Sequence, residues 1–121
     1  MKKVVITNAK IDDVRIGFDR GVFLSIWLFL DYGGTHQGYG GYCFNSPNPD
    51  DKFLSDRVVE GPEFGIAVQN IMRTFEVEDF SKLVGQIIRV ERIDEWSGEV
   101  LAVGHALKDK WFSFQKLWPK E

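Results

Sequence analysis

Val22-Phe23-Leu24-Ser25-Ile26-Trp27-Leu28-Phe29-Leu30 repeats with a period of two. Successive strand residues point to opposite faces. Val22, Leu24, Ile26, Leu28 and Leu30 therefore share one face, and Phe23, Ser25, Trp27 and Phe29 share the other. Both faces are apolar except at Ser25. Such a strand lies at the centre of a sheet, or has one face in a core and the other in a subunit interface.

Before it, residues 3–17 carry Val4, Val5, Ile6, Ile11, Val14 and Ile16, which read as one or two strands broken near Asp12 and Asp13. Phe18-Asp19-Arg20-Gly21 reads as the turn of an antiparallel hairpin, with Gly21 able to supply positive φ. After it comes Asp31-Tyr32-Gly33-Gly34-Thr35-His36-Gln37-Gly38-Tyr39-Gly40-Gly41-Tyr42, rich in glycine and tyrosine. Glycine permits positive φ or a close backbone approach. The segment reads either as sheet bends and bulges or as a ligand-lining wall of backbone N–H groups and aromatic faces. Residues 39–44 alternate and continue as a strand. Residues 45–51, with two prolines among asparagines and aspartates, read as a surface loop.

Gly61-Pro62-Glu63 opens a helix, with proline in the first turn and an acid at the positive end. Phe64, Val68, Ile71 and Phe75 recur at helical spacing, with Gln69, Asn70 and Arg73 on the opposite side. Residues 79–84 read as a second, short helix ending at Gly85. Residues 86–93 and 99–107 form a hairpin turning at Trp96-Ser97-Gly98. The tail, with Trp111, Phe112, Phe114 and Trp118, is too aromatic for a free end and is expected to pack on this chain or on a partner subunit. The order predicts one domain over residues 1–121 of the α+β class: an antiparallel sheet of about five or six strands, with two short helices inserted before the last hairpin.

The chain has 121 residues, 14% aromatic, with a net charge of −3. That balance argues against a protein that grips duplex nucleic acid, which needs a basic footprint, and leaves room for a local basic pocket. Cys43 is the single cysteine, so no internal disulfide forms and a reducing cytoplasm fits. No segment reads as a signal peptide, and the longest apolar stretch is too short to span a bilayer, so no membrane partner is expected.

His36 and His105 have no partners at metal-ligand spacing, so no metal or other cofactor is expected. No nucleophile elbow or phosphate-loop lysine occurs, and no catalytic residue is assigned. Cys43 in an apolar strand reads as a small core residue. The paired acids read as solvated surface, with Glu78-Asp79 also suited to the second helix's first turn. Three groups suit a binding site. The first is the glycine-tyrosine segment with His36, Gln37 and Tyr39. The second is Arg89, Arg92 and His105 on the last hairpin. The third is Lys108-Asp109-Lys110-Trp111-Phe112, where lysines suit phosphate and rings suit a base. The competing readings are an amphipathic tail for the third group and a cross-strand ion pair for Arg89.

The strings Ile6-Thr7-Asn8-Ala9, Leu30-Asp31-Tyr32-Gly33-Gly34, Gln37-Gly38-Tyr39-Gly40-Gly41-Tyr42 and Gly104-His105-Ala106-Leu107-Lys108-Asp109-Lys110-Trp111-Phe112 resemble the Thoeris anti-defence sponge family of bacteriophages and prophages. The resemblance implies a non-enzymatic protein in the cytoplasm of a bacterial host. Such a protein sequesters a cyclic ADP-ribose isomer, the alarm signal of a TIR-domain defence protein. It also implies a homo-oligomer, a dimer or a trimer of dimers, with pockets near subunit interfaces; some members hold cyclic dinucleotides. On side-chain chemistry, Arg89, Arg92, Lys108 and Lys110 are assigned to phosphate, Trp111 and Tyr39 to stacking, and His36, Gln37 and Asp109 to polar recognition, with His105 beside the arginines. The alternatives are a protein-binding inhibitor of a host defence complex, a small hydrolase or transferase using His36 or His105, and a single-stranded nucleic-acid binder.

Overall fold

The computed structural model describes residues 2–19, 23–44, 59, 61–95 and 98–119. The expected turn at residues 18–21, the surface loop at 45–51 and the turn at Trp96 and Ser97 lie wholly or partly outside the described residues. Six strands form one antiparallel sheet: β1 (Val4–Asp19), β2 (Phe23–Asp31), β3 (His36–Phe44), β4 (Ile87–Ile93), β5 (Val100–His105) and β6 (Trp111–Phe112). Their order in the sheet is β3-β2-β1-β4-β5-β6.

β1 is one strand of 16 residues. Its first part, Val4 to Lys10, pairs with β4, and its second part, Lys10 to Asp19, pairs with β2. The expected break at Asp12 and Asp13 is a bulge: the register passes from Ile11↔Leu30 to Asp13↔Phe29, leaving Asp12 as the extra residue. An extra residue bends a strand and increases its twist without ending it. Only Lys10 is paired on both sides, so the sheet is two half-sheets offset along a shared strand.

β2 lies between β1 and β3. Its Ile26, Leu28 and Leu30 are fully buried. On its outer face Trp27 and Phe29 are half-buried and stacked, their centroids 6.0 Å apart. The core face is covered by α1 (Gly61–Thr74), a 3₁₀ turn (Phe80–Leu83) and α2 (Phe114–Leu117). Phe64, Ala67 and Ile71 form the buried stripe of α1. Asp79 caps the 3₁₀ turn by accepting from the Ser81 amide. The expected second, short helix over residues 79–84 is this 3₁₀ helix.

The glycine-tyrosine segment is built from a turn and a bulge. Gly33 and Gly34 lie at φ 99° and 115°, and both donate their amides to Asp31 Oδ1, at 2.8 and 2.9 Å. These bonds hold the Asp31 carboxyl below its ordinary range. Between β2 and β3 the register passes from Ile26↔Tyr42 to Trp27↔Gly40, so Gly41 is the extra residue.

The tail packs on its own chain. Phe114 is fully buried, with rings of Tyr39, Tyr42 and Phe112 at 5.0, 4.8 and 4.8 Å. Burying such a ring contributes about 3 kcal/mol. Ser113 Oγ donates to the Leu101 carbonyl at 2.7 Å, Gln115 Nε2 donates to the Val100 carbonyl at 2.7 Å, and Trp118 Nε1 donates to Glu63 Oε2 at 2.8 Å. The tail thus adds a strand and a helix after the hairpin.

Gly40 lies at φ 131°, and a Cβ there would stand 2.4 Å from the Ile26 carbonyl oxygen. Gly40→Ala is expected to cost about 3 kcal/mol, from an unsuitable backbone angle and a clash with backbone. Gly65, within α1, has open space around its Cβ position; Gly65→Ala is expected to stabilise by about 0.5–1 kcal/mol. Urea unfolding of the two variants checks both signs, and equal midpoints contradict the bulge geometry.

Candidate functional site

Arg89 faces outward from β4 and lies in a cross-strand row with Asn8, Gly104 and Trp111. Gly104 is the gap that lets the indole lie across the sheet, since a Cβ there would come within 2.5 Å of the ring. The Arg89 guanidinium sits over that ring, 4.7 Å from a centroid. Its Nε donates to the His105 carbonyl and its Nη2 to the Lys108 carbonyl, both at 2.8 Å. Arg89 is therefore a clamp on the β5–β6 loop, with two of its donors on backbone. The cross-strand carboxylate partner weighed from sequence is replaced by these carbonyls.

The same loop is gripped from the other side by a carboxylate. α1 ends with the Val77 amide donating to the Met72 carbonyl at 3.0 Å and the Glu76 amide to the Arg73 carbonyl at 3.3 Å. This is the Schellman pattern, in which the residue after the cap adopts the left-handed conformation and is usually glycine. Here it is Glu76, at φ 58°. Lys108 Nζ donates to both its oxygens, at 2.9 and 2.7 Å, and Lys110 Nζ donates to Oε2 at 2.6 Å. His105 Nε2 stands 3.8 Å from Oε1. His105 Nδ1 accepts from the Leu107 and Lys108 amides, each at 3.1 Å, so the proton of a neutral ring sits on Nε2, facing the carboxylate. The hydrogen bonds from Lys108 and then Lys110 pull the Glu76 carboxyl down from 4.5 to about 2.

A groove of about 600 Å³ opens between the last turns of α1 and the chain from Asp109 to Leu117. Asp109, Lys110 and Trp111, three of the expected binding residues, line it. So do Arg73 and Lys116; helical spacing placed Arg73 opposite the apolar stripe, and the sequence reading gave Lys116 no role. Among the described residues, no carboxylate lies within ion-pair distance of Arg73 or Lys116. Lys108 and His105 sit behind the groove on Glu76, and Arg89 backs Trp111.

The remaining candidates stand elsewhere, outside the groove lining. Tyr39, expected to stack on a base, is a core residue. Its ring is 5% exposed, and its hydroxyl accepts from the Phe114 amide at 2.9 Å while donating to Gln115 Oε1 at 2.6 Å. A stacking platform needs an open face, and burial has closed this one; burial also pushes its hydroxyl pKa up. Gln37 is held structurally too: its Oε1 accepts from Tyr32 and its Nε2 donates to the Gly98 carbonyl, both at 2.8 Å. Arg92 lies over the Tyr32 ring at 5.3 Å and donates from Nη1 to the Ile93 carbonyl at 3.3 Å. His36 is exposed, 3.7 Å from Asp12 Oδ2. Thus the ten residues divide: Gln37, Tyr39 and Arg92 on sheet closure, His36 on the surface, and six around the β5–β6 loop.

Among the described residues, no group of three or more His, Cys, Asp or Glu side chains is placed to hold a metal ion, and no helix is long and apolar enough to cross a membrane. Comparison with protein families, curated proteins and solved structures gives no match.

Because the folded state depresses the Glu76 pKa from 4.5 to about 2, its contribution to stability is whole above the upper value and is lost as pH falls through the lower one. Asp31 and Asp79 are depressed as well and contribute a background of the same sign. Urea midpoints of the wild type are therefore expected to fall more steeply than those of Glu76→Gln between these two pH values; parallel curves contradict the hub.

Proposed function

We propose that the chain binds a small phosphate-bearing nucleotide in the groove between α1 and the C-terminal segment, and holds it without chemical change. The observation that carries this reading is one groove of about 600 Å³ that brings together Arg73 and Lys116, cations without a carboxylate partner among the described residues. Cations recognise phosphate oxygens through charge-assisted hydrogen bonds. The volume falls in the range of small-molecule sites. Asn70, Thr74 and Ser113, also on the wall, suit ribose hydroxyls and base edges.

The family resemblance sharpens the ligand to a cyclic ADP-ribose isomer or a cyclic dinucleotide. On this reading the protein is a phage-type sponge that removes an immune signal in the cytoplasm of a bacterial host. It acts as a homo-oligomer, and the half-buried aromatic pair Trp27 and Phe29 on the outer face of β2 is its candidate contact between copies. Sedimentation tests the last point: Trp27→Lys is expected to lower the assembly state of a folded protein, and an unchanged mass moves the contact elsewhere.

Calorimetry against cyclic ADP-ribose isomers, cyclic dinucleotides, ADP-ribose and NAD tests the function. Tight binding is expected, with the ligand recovered intact after heating. The pair Arg73→Ala with Lys116→Ala is expected to weaken binding by about tenfold or more. A ligand recovered in altered form makes the protein an enzyme. No binding to any member overturns the nucleotide reading and favours an inhibitor that docks on a host protein.

A further inference from the structure

We propose that Glu76 is the groove's internal counter-ion: in the empty protein its carboxylate holds the ammonium groups of Lys108 and Lys110, and an incoming ligand takes them over with a second phosphate. Glu76 thereby competes with the second phosphate and sets how much that phosphate adds to binding. The inference rests on the nucleotide reading of the groove and assigns its selectivity.

Lys110 belongs to both places at once. It lines the groove, and its Nζ lies 2.6 Å from Glu76 Oε2. Arg73 and Lys116 stand on the same wall without a carboxylate partner among the described residues, so a first phosphate meets cations that need no exchange. A second phosphate must displace Glu76. The lysine side chains are 57% and 44% exposed, and ion pairs in such contact with water are held weakly enough for a polyanion to exchange them.

Two further observations set Glu76 apart from ordinary surface charge. It occupies a left-handed backbone position where glycine would serve the helix end better. A side chain kept at a strained position points to a role for that side chain. The loop also has a second set of restraints. Arg89 holds the carbonyls of His105 and Lys108, and His105 Nδ1 holds the amides of Leu107 and Lys108. Releasing Glu76 therefore frees two ammonium groups while the backbone that presents them stays in place.

The test is calorimetry of wild type and Glu76→Gln with ADP, AMP and inorganic pyrophosphate. The wild type is expected to prefer ADP to AMP. Glu76→Gln is expected to bind ADP several-fold more tightly and AMP with little change, so that the preference grows. Glu76→Gly, which suits the backbone angle, is expected to give the same gain and separates it from any loss of folding. The gain is expected to vanish when Lys108 and Lys110 are both alanine. Glu78→Gln removes an equal charge two residues away and is expected to give no comparable gain. If the wild type binds ADP but Glu76→Gln binds it no better, or Glu78→Gln gains as much, the counter-ion role is overturned and the groove reading stands. If neither protein takes up any of the three probes, both fall.

Discussion

One strand answers to two half-sheets. β1 gives its first residues to β4 and its last to β2, with Lys10 alone shared. The device that permits this is the extra residue at Asp12. A regular strand of this length would keep both neighbours in one gently twisted plane. A bulge adds a bend at the point where the partner changes. The two half-sheets share one apolar side, on which α1, the 3₁₀ turn and α2 pack. Asp12 and Asp13 at the bulge are exposed, and Asp13 Oδ1 accepts from the Val14 amide at 2.9 Å.

Polar groups beside the core tie β3 to elements at the far end of the sheet order. The Tyr39 hydroxyl links β3 to α2, and the Gln37 amide links β3 to Gly98 just before β5. Such links count for more where water is excluded, because each buried donor or acceptor left alone costs about 1–3 kcal/mol. This explains the fate of the glycine-tyrosine segment. Gly40 and Gly41 make the bulge through which β3 pairs with β2, while Tyr39 and Tyr42 reach across to Phe114. The segment's composition serves pairing and packing.

Much of the architecture was legible in the chain because it is written locally. Period-two alternation marks β2, the Gly61-Pro62-Glu63 start and the spacing of Phe64 and Ile71 mark α1, and Asp79 announces its turn. β6 was not legible: with two residues it has no period to detect, and its place is decided by Trp111 lying on Gly104. The candidate site was half legible. Lysines beside a tryptophan point to the β5–β6 loop from sequence alone. Glu76 has no such signature, since its partners Lys108 and Lys110 stand 32 and 34 residues away and only the fold brings them together. Arg73 looks like any charge on a solvated helix face until α1 is set beside the tail. Tyr39 misled because a ring's availability depends on burial.

The net charge of −3 and an anion-binding groove are compatible for a reason of scale. Screening in physiological salt confines an exposed charge's influence to about 8 Å. What a bound phosphate senses is the local census: Arg73, Lys110 and Lys116 on the groove wall with Asp109 among them, and Lys108 joined to Lys110 through Glu76. Cations gathered at one spot repel each other in an empty protein, and a carboxylate among them relieves that repulsion until a ligand does so. The same carboxylate ties the end of α1 to the β5–β6 loop, so the groove's two walls are held in register by the very charges it presents. Structural support and electrostatic readiness are thus two consequences of one ion cluster. Its position at the end of α1 is what allows a 14-residue helix to serve the core with Phe64, Ala67 and Ile71 and the groove with Asn70 and Arg73.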